Sequence, residues 1–384
     1  MTPWCFCQRT VAGSKNKLAG RPQPVNALCK GDSSLSGANQ HFIPRSFLRG
    51  FGQVRKRGYF KVTIHSKERG IFPVGPDGAA AARFFYSRPA ADAARTLDDE
   101  ITDYETQFAE VVADLRNPGR TGALPTDKIA EIVVHLTVRN AQIREAATYG
   151  FGKLFEGTAA QFGDVNQDKT ALGLDNTKPS QMWQEVLEAQ YEEHKAFFQT
   201  QGMTKQHFIN FFFQVIKQKF DSRHPEMMES LQFVFEKIAS ELPNIAKTGH
   251  NQALSKTLAP EERIAALKAL SWQICPIASG IVVLPDCIAI DGLALETCMP
   301  LAFRPNKEVS AVLMPLDSHR VLLGTRADSA LVLPEQLNQL LVSCAWDFFV
   351  AVQTNDALGQ LLSLVGSKTK QHLDSQVELS IAKA

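Results

Sequence analysis

The sequence predicts an α+β protein in which one N-terminal strand and several C-terminal strands build a mixed sheet around a large helical insert. Three observations carry this expectation. Gly58-Tyr-Phe-Lys-Val-Thr-Ile-His65 alternates, with Phe60, Val62 and Ile64 on one face, and reads as a strand. From Thr96 to about Trp272 apolar residues recur every three or four positions, the stripe of amphipathic helices. After Cys275 short apolar runs bounded by turn residues return. A lone early strand needs partners and the late strands can supply them, so both chain ends are expected in one sheet. The expected division is a disordered basic tail over 1–38 and one domain over 39–384, with the insert at about 96–273.

The elements follow in order. Residues up to Asn39 are rich in Gly, Ser, Pro, Asn and Lys, lack an apolar core and read as a tail, not as a secretory signal. His41 to Phe51 carries Ile43, Phe47, Leu48 and Phe51 at helical steps, with Pro44 suited to the first turn and Gly50 or Gly52 to the end. Gly70 to Ala82 reads as loop, and Phe84-Phe-Tyr86 as an aromatic anchor. Leu97 to Leu115 forms one helical stripe, with Thr96 and Asp99 as a capping box. A helix from Thr126 carries Ile129, Val133, Leu136 and Ile143, and so Arg139 and Arg144 too. Residues 150–179 read as connection. Helices follow at about 180–200, 204–221 and 225–241, the second with a Phe208–Phe213 core cluster, and another runs from Pro260 to about Trp272. Gly280–Leu284, Cys287–Ile290, Ser310–Met314 and Arg320–Leu323 read as strands, and Pro334 to Val352 as a closing helix.

Composition limits the classes. With 384 residues, 44% hydrophobic and 21% charged, the chain can bury a sizeable core and is not disordered as a whole. The net charge of +1 hides an asymmetry: residues 1–70 hold 13 Lys/Arg against Asp32 and Glu68, a local +11 that leaves −10 for the rest. A basic surface of that kind suits phosphate or another acidic partner. Seven irregularly spaced cysteines argue against a disulfide framework and for a cytoplasmic protein. No stretch reaches the roughly 18 uninterrupted apolar residues of a membrane helix, so no membrane partner is expected.

Asn39-Gln-His-Phe-Ile-Pro-Arg-Ser-Phe-Leu-Arg-Gly-Phe51 resembles the opening His-Tyr-Ile-Pro-x-x-Tyr-Leu-x-x-Phe signature of bacterial proteins grouped as domain of unknown function 4238. Further features are similar in the same order. They are the strand at 59–65, Phe85-Tyr86-Ser87, the helix with Glu105, the Arg139/Arg144 helix, the Asp286 strand and Met314-Pro-Leu316 before Ser318. The similarity covers about residues 39–352. The family usually shows Ser-Asp-Asn-Pro after the helical block, where this chain reads Leu284-Pro-Asp-Cys-Ile288. Asp286 survives and its neighbours do not. The family is functionally uncharacterised, so the resemblance implies architecture and candidate positions and no reaction. The stretch from His41 to Leu48 is also similar to part of the HNH nuclease domain of RNA-guided nucleases, but no Asn/His pair on a helix follows before residue 100.

Three residues are singled out as a catalytic set. His41 stands just before a helix start, and an imidazole with a reference pKa near 6.5 suits proton transfer or metal ligation. Asp286 ends an apolar strand, where a carboxylate holds a metal, pairs with arginine or closes a turn. Arg139, closer to the apolar stripe than Arg144, is the arginine expected to point inward and offset a phosphate. Arg45, Arg49, Arg55, Lys56 and Arg57 form a basic face suited to nucleic acid. Two functions fit these residues: a hydrolase, in particular a metal-assisted phosphodiesterase or nuclease, and a non-catalytic module that binds nucleic acid or protein. The residues fix neither cofactor nor oligomeric state; a divalent metal would suit the His/Asp pair.

Overall fold

The computed structural model describes residues 38–54, 60–87, 95–277, 279–326 and 333–382. The expected tail, apart from Ala38, and the basic Arg55-Lys56-Arg57 lie outside the described residues. The architecture is α+β, with the first strands β1 (Asn39–His41), β2 (Gly52–Val54), β3 (Phe60–Ser66), β4 (Gly70–Val74) and β5 (Ala81–Arg83) around the short helix α1 (Arg45–Leu48). The helical block runs from α2 (Leu97–Thr106), α3 (Ala109–Leu115) and α4 (Thr126–Val138) to α5 (Ala141–Ala159) and α6 (Val165–Ala171). It continues through α7 (Gln181–Glu193), α8 (Lys195–Thr200), α9 (Lys205–Lys256) and α10 (Glu261–Lys268). Then come β6 (Ser271–Pro276), β7 (Leu284–Pro285), β8 (Ile290–Asp291), β9 (Met299–Pro300), β10 (Ala311–Asp317) and β11 (Arg320–Thr325). The chain closes with α11 (Leu337–Cys344), β12 (Phe348–Ala351), α12 (Asp356–Gln360) and α13 (Ser367–Ile381).

The strands do not make one mixed sheet. Among the described residues they divide into two five-stranded sheets and a β1–β5 ribbon, and these pairings are all antiparallel. One sheet has the order β2-β3-β12-β7 with β4 also on β3, and the other β6-β11-β10-β8-β9. The early strand does meet the late chain, but its partner is β12, with Phe349 opposite His65, and not a strand from 280–323. Residues 345–352 were expected to be helix. A short continuous apolar run looks the same for a buried helix and for a strand covered on both faces. Here Phe348 and Val350 enter one core cluster while Phe349 and Ala351 enter the other. β10 divides in the same way, Val312 and Met314 against Leu313, so the period-2 pattern survives only as a choice between two apolar neighbours.

Other boundaries also move. The expected pair of helices at 204–221 and 225–241 is one helix, α9, that passes through Pro225 and Pro243. An interior proline costs about 3 kcal/mol; burial of Phe220, His224, Leu242, His250 and Leu254 along α9 offsets it. Phe208 and Phe213 are core as expected, whereas Phe211 is exposed. α5 continues across Gly150, Gly152 and Gly157 into the expected connection, Gly157 lying directly under Ile381 of α13. The expected 70–82 loop contains β4 and β5; Pro73 is tolerated because β4 is an edge strand. His65, on the opposite face of the strand from Phe60, Val62 and Ile64, is nevertheless fully buried and stacked 4.6 Å from Phe349, since β3 is covered on both faces.

Candidate functional site

The residues that carry the resemblance meet in one buried polar knot centred on Arg139. Arg139 follows α4 as its C-cap and is 1% exposed. Its Nη2 donates to the His41 carbonyl, its Nη1 pairs with Glu105, and its Nε lies 3.1 Å from the Tyr86 hydroxyl, which donates back to the Arg139 carbonyl at 3.0 Å. Gln40 fixes the aromatic anchor by accepting from the amides of Tyr86 and Ser87 at 2.6 and 3.1 Å. His135 donates Nδ1–H to the Leu258 carbonyl at 3.0 Å, and burial drives its pKa down to about 4 against that bond, so it is neutral beside Glu105.

Asn140 joins this knot to Asp286. Its side-chain oxygen caps α5 by accepting from Gln142 N at 2.8 Å, and its amide donates to the Asp286 carbonyl. The Asp286 carboxylate accepts from the amides of Trp346, Asp347 and Phe348 at 2.7, 2.7 and 3.0 Å, closing the turn between α11 and β12. Burial pushes this carboxyl up to about 7 while the three amides favour its ionised form. The three expected residues are thus tied together through backbone carbonyls, with their side chains directed to different partners. His41 Nε2 lies 3.0 Å from the Pro76 carbonyl, so that nitrogen carries the proton and cannot also accept from Arg45 Nε at 3.4 Å. Burial above all lowers the His41 pKa; the Pro76 bond opposes this, and Arg45 and Arg139 add to it.

On the far side of Asn140 a cleft of about 640 Å³ opens, lined by Phe42, Asp286 and Trp346 but not by His41 or Arg139. Lys67 and Arg69 from the β3–β4 turn, Arg83 of β5, Arg144 of α5, Lys247 of α9 and Lys370 of α13 converge on it. The acids are Glu68, Glu145, Asp286 and Asp347. Asp286 is occupied by amides, and Asp347 accepts from Ser66 at 2.9 Å and pairs with Arg69 at 3.2 Å. Arg144 spans the back wall: it donates to His250 Nδ1 at 2.8 Å, the Phe85 carbonyl at 2.7 Å and Asn251 at 2.7 Å, and its guanidinium sits 3.6 Å over the Phe85 ring. Desolvation lowers its pKa to about 10, which leaves it charged at neutral pH. Glu145 opens to solvent in the cleft; partial burial, then the charges of Asp347 and Glu68, raise its pKa against the pull of Arg144. Among the described residues neither Lys67 nor Arg83 has a carboxylate partner.

Arg139 and Arg144 are therefore on two helices, and the one lining the cleft is Arg144. An Asn between two helical stretches is an N-cap signal, and reading Asn140 that way would have separated them. Glu145, Arg83 and Lys370 carry no local signal. Of the basic face, Arg45 is exposed and paired with Asp77 at 3.1 Å, and Arg49 is exposed; neither lines the cleft. No helix among the described residues is long and apolar enough to cross a membrane.

Fold and site together define an α+β protein with a buried polar knot backing a charged cleft. The family described as "Protein of unknown function (DUF4238)" matches residues 39–330, and the chain belongs to that family. No curated protein and no solved structure matches it.

Proposed function

We propose that the cleft binds a phosphodiester-bearing ligand, a nucleic-acid strand or nucleotide, and that the protein is a hydrolase acting on it there. The carrying observation is the convergence of six cationic side chains from five separate segments on one cavity in which two of the four acids are already engaged. Such a lining neutralises phosphate oxygens and raises local anion concentration. Glu145, with its raised pKa and open position, is suited to take a proton from a water attacking phosphorus, while Lys67 and Arg83 offset the developing charge. Arg139, His41 and Asp286 serve as positioning residues: they hold the wall from which Asn140, Arg144 and the 346–348 turn project. Arg45, Arg49 and the 55–57 stretch would extend the basic track for a longer strand. Among the described residues no group of three or more His, Cys, Asp or Glu is placed to hold a metal ion.

The alternative, a non-catalytic binding module, draws support from the internal bonding that engages the Arg139 and Asp286 side chains. One experiment separates the two. Anisotropy of a labelled single-stranded oligonucleotide is expected to show affinity falling about 10- to 100-fold between 50 and 200 mM salt. Gel analysis then tests cleavage, which Glu145→Gln removes while binding persists. Binding without cleavage in the wild type leaves the module reading, and affinity indifferent to salt removes both.

A further inference from the structure

Three buried free thiols lie away from the cleft. Cys287, Cys298 and Cys344 belong to the same apolar cluster. Cys298 closes a turn ahead of β9, its amide bonded to the Ala294 carbonyl at 2.9 Å, and Cys344 ends α11. The Ser343 hydroxyl lies 3.7 Å from the Cys298 sulfur and 4.0 Å from the Cys344 sulfur, so the two thiols flank one hydroxyl. Segments remote in sequence thus bring two sulfurs to one side chain, with Cys298 covered by a turn whose Ala294, Glu296 and Thr297 are exposed. Local opening of such a turn admits a small oxidant. No third His, Cys, Asp or Glu among the described residues completes a metal site with them.

We propose that Cys298 and Cys344 are an oxidisable dithiol that closes to an intramolecular disulfide when a peroxide reaches it. The neighbouring Cys344 thiol first, then Ser343 and Lys368, favour Cys298 as the thiolate, whereas burial holds the Cys344 thiol up. The Cys298 thiolate attacks the peroxide, breaking its O–O bond and forming the sulfenic acid, while the leaving alkoxide or hydroxide takes up the proton that Cys298 gave up and departs as alcohol or water. The Cys344 sulfur then attacks the sulfenic sulfur; the S–S bond forms, and hydroxide leaves and takes up the thiol proton as water. Two electrons pass from the dithiol to the peroxide. The link would tie the turn to the end of α11, where the Cys344 carbonyl accepts from Gln142 of α5 at 2.9 Å and Thr369 of α13 at 2.8 Å.

The test uses the whole chain under native conditions: brief hydrogen peroxide, alkylation of remaining thiols, digestion without reduction, and mass spectrometry. The expected product is a peptide pair linked through Cys298 and Cys344 that a reductant separates. In Cys344→Ala a dimedone adduct at Cys298 replaces it. Both cysteines recovered alkylated after peroxide, or Cys298 linked to Cys287 instead, would overturn the assignment. The wild-type map decides this even if the variant fails to fold.

Discussion

Arg139 and Arg144 stand on either side of one helix junction, and both are deeply enclosed, yet they belong to different kinds of polar region. Around Arg139 charge and hydrogen bonds close on themselves: Glu105, Tyr86 and the His41 carbonyl use its donors, and Asn140 passes the network on to Asp286. Around Arg144 the back wall is equally well bonded, but the surrounding Lys67, Arg83 and Glu145 face open space. Buried polarity alone therefore does not mark a site. What distinguishes the cleft is charge left over after the internal bonds are counted.

Removal of Arg139 has the largest expected effect. Arg139→Met leaves Glu105 as an uncompensated charge beside the core, and the expected loss is about 3–5 kcal/mol in urea unfolding. Ligand affinity of the folded fraction should fall by less than it does on reversing the charges of Lys67 and Arg83, which face the cleft directly; a fully stable variant that no longer binds would move the site to the knot.

A smaller effect concerns pH. His135 and His250 both have pKa values driven down to about 4 by burial first, and Arg144 adds to the lowering at His250. Near pH 7 they are neutral folded and unfolded. As pH falls from about 6.5 to 4 the unfolded chain takes up protons that the folded chain refuses, so stability is lost over that window, by up to about 3 kcal/mol for each. Asp286, pushed up to about 7, acts in the opposite sense below neutrality. The wild-type slope alone is therefore mixed, and His135→Gln isolates one contribution by flattening the fall in urea midpoint below pH 6.5. An unchanged slope in that variant would contradict a neutral buried His135.

Local chemistry was legible where short-range rules decide the outcome. Thr96 and Asp99 form the reciprocal cap, with bonds of 3.3 and 2.8 Å, and the alternation at Phe60, Val62 and Ile64 marks β3. The family features could also be seen along the chain, though not that Gln40, Tyr86, Glu105, Arg139 and Asp286 converge. β12 was hidden because a strand buried on both faces has no polar beat, and α9 because tertiary burial overrides Pro225 and Pro243. The cleft could not be read at all. Its cations come from segments as far apart as Lys67 and Lys370, and only packing of α5, α9 and α13 assembles them.

The most direct measurement reverses the leftover charge. Lys67→Glu with Arg83→Glu is compared with Arg45→Glu with Arg49→Glu, using oligonucleotide anisotropy at low and physiological salt. The cleft pair should weaken binding by about 10- to 100-fold and reduce the salt slope, and the outer pair by less. Undiminished, equally salt-dependent binding by the Lys67/Arg83 variant would contradict the assignment of the cleft.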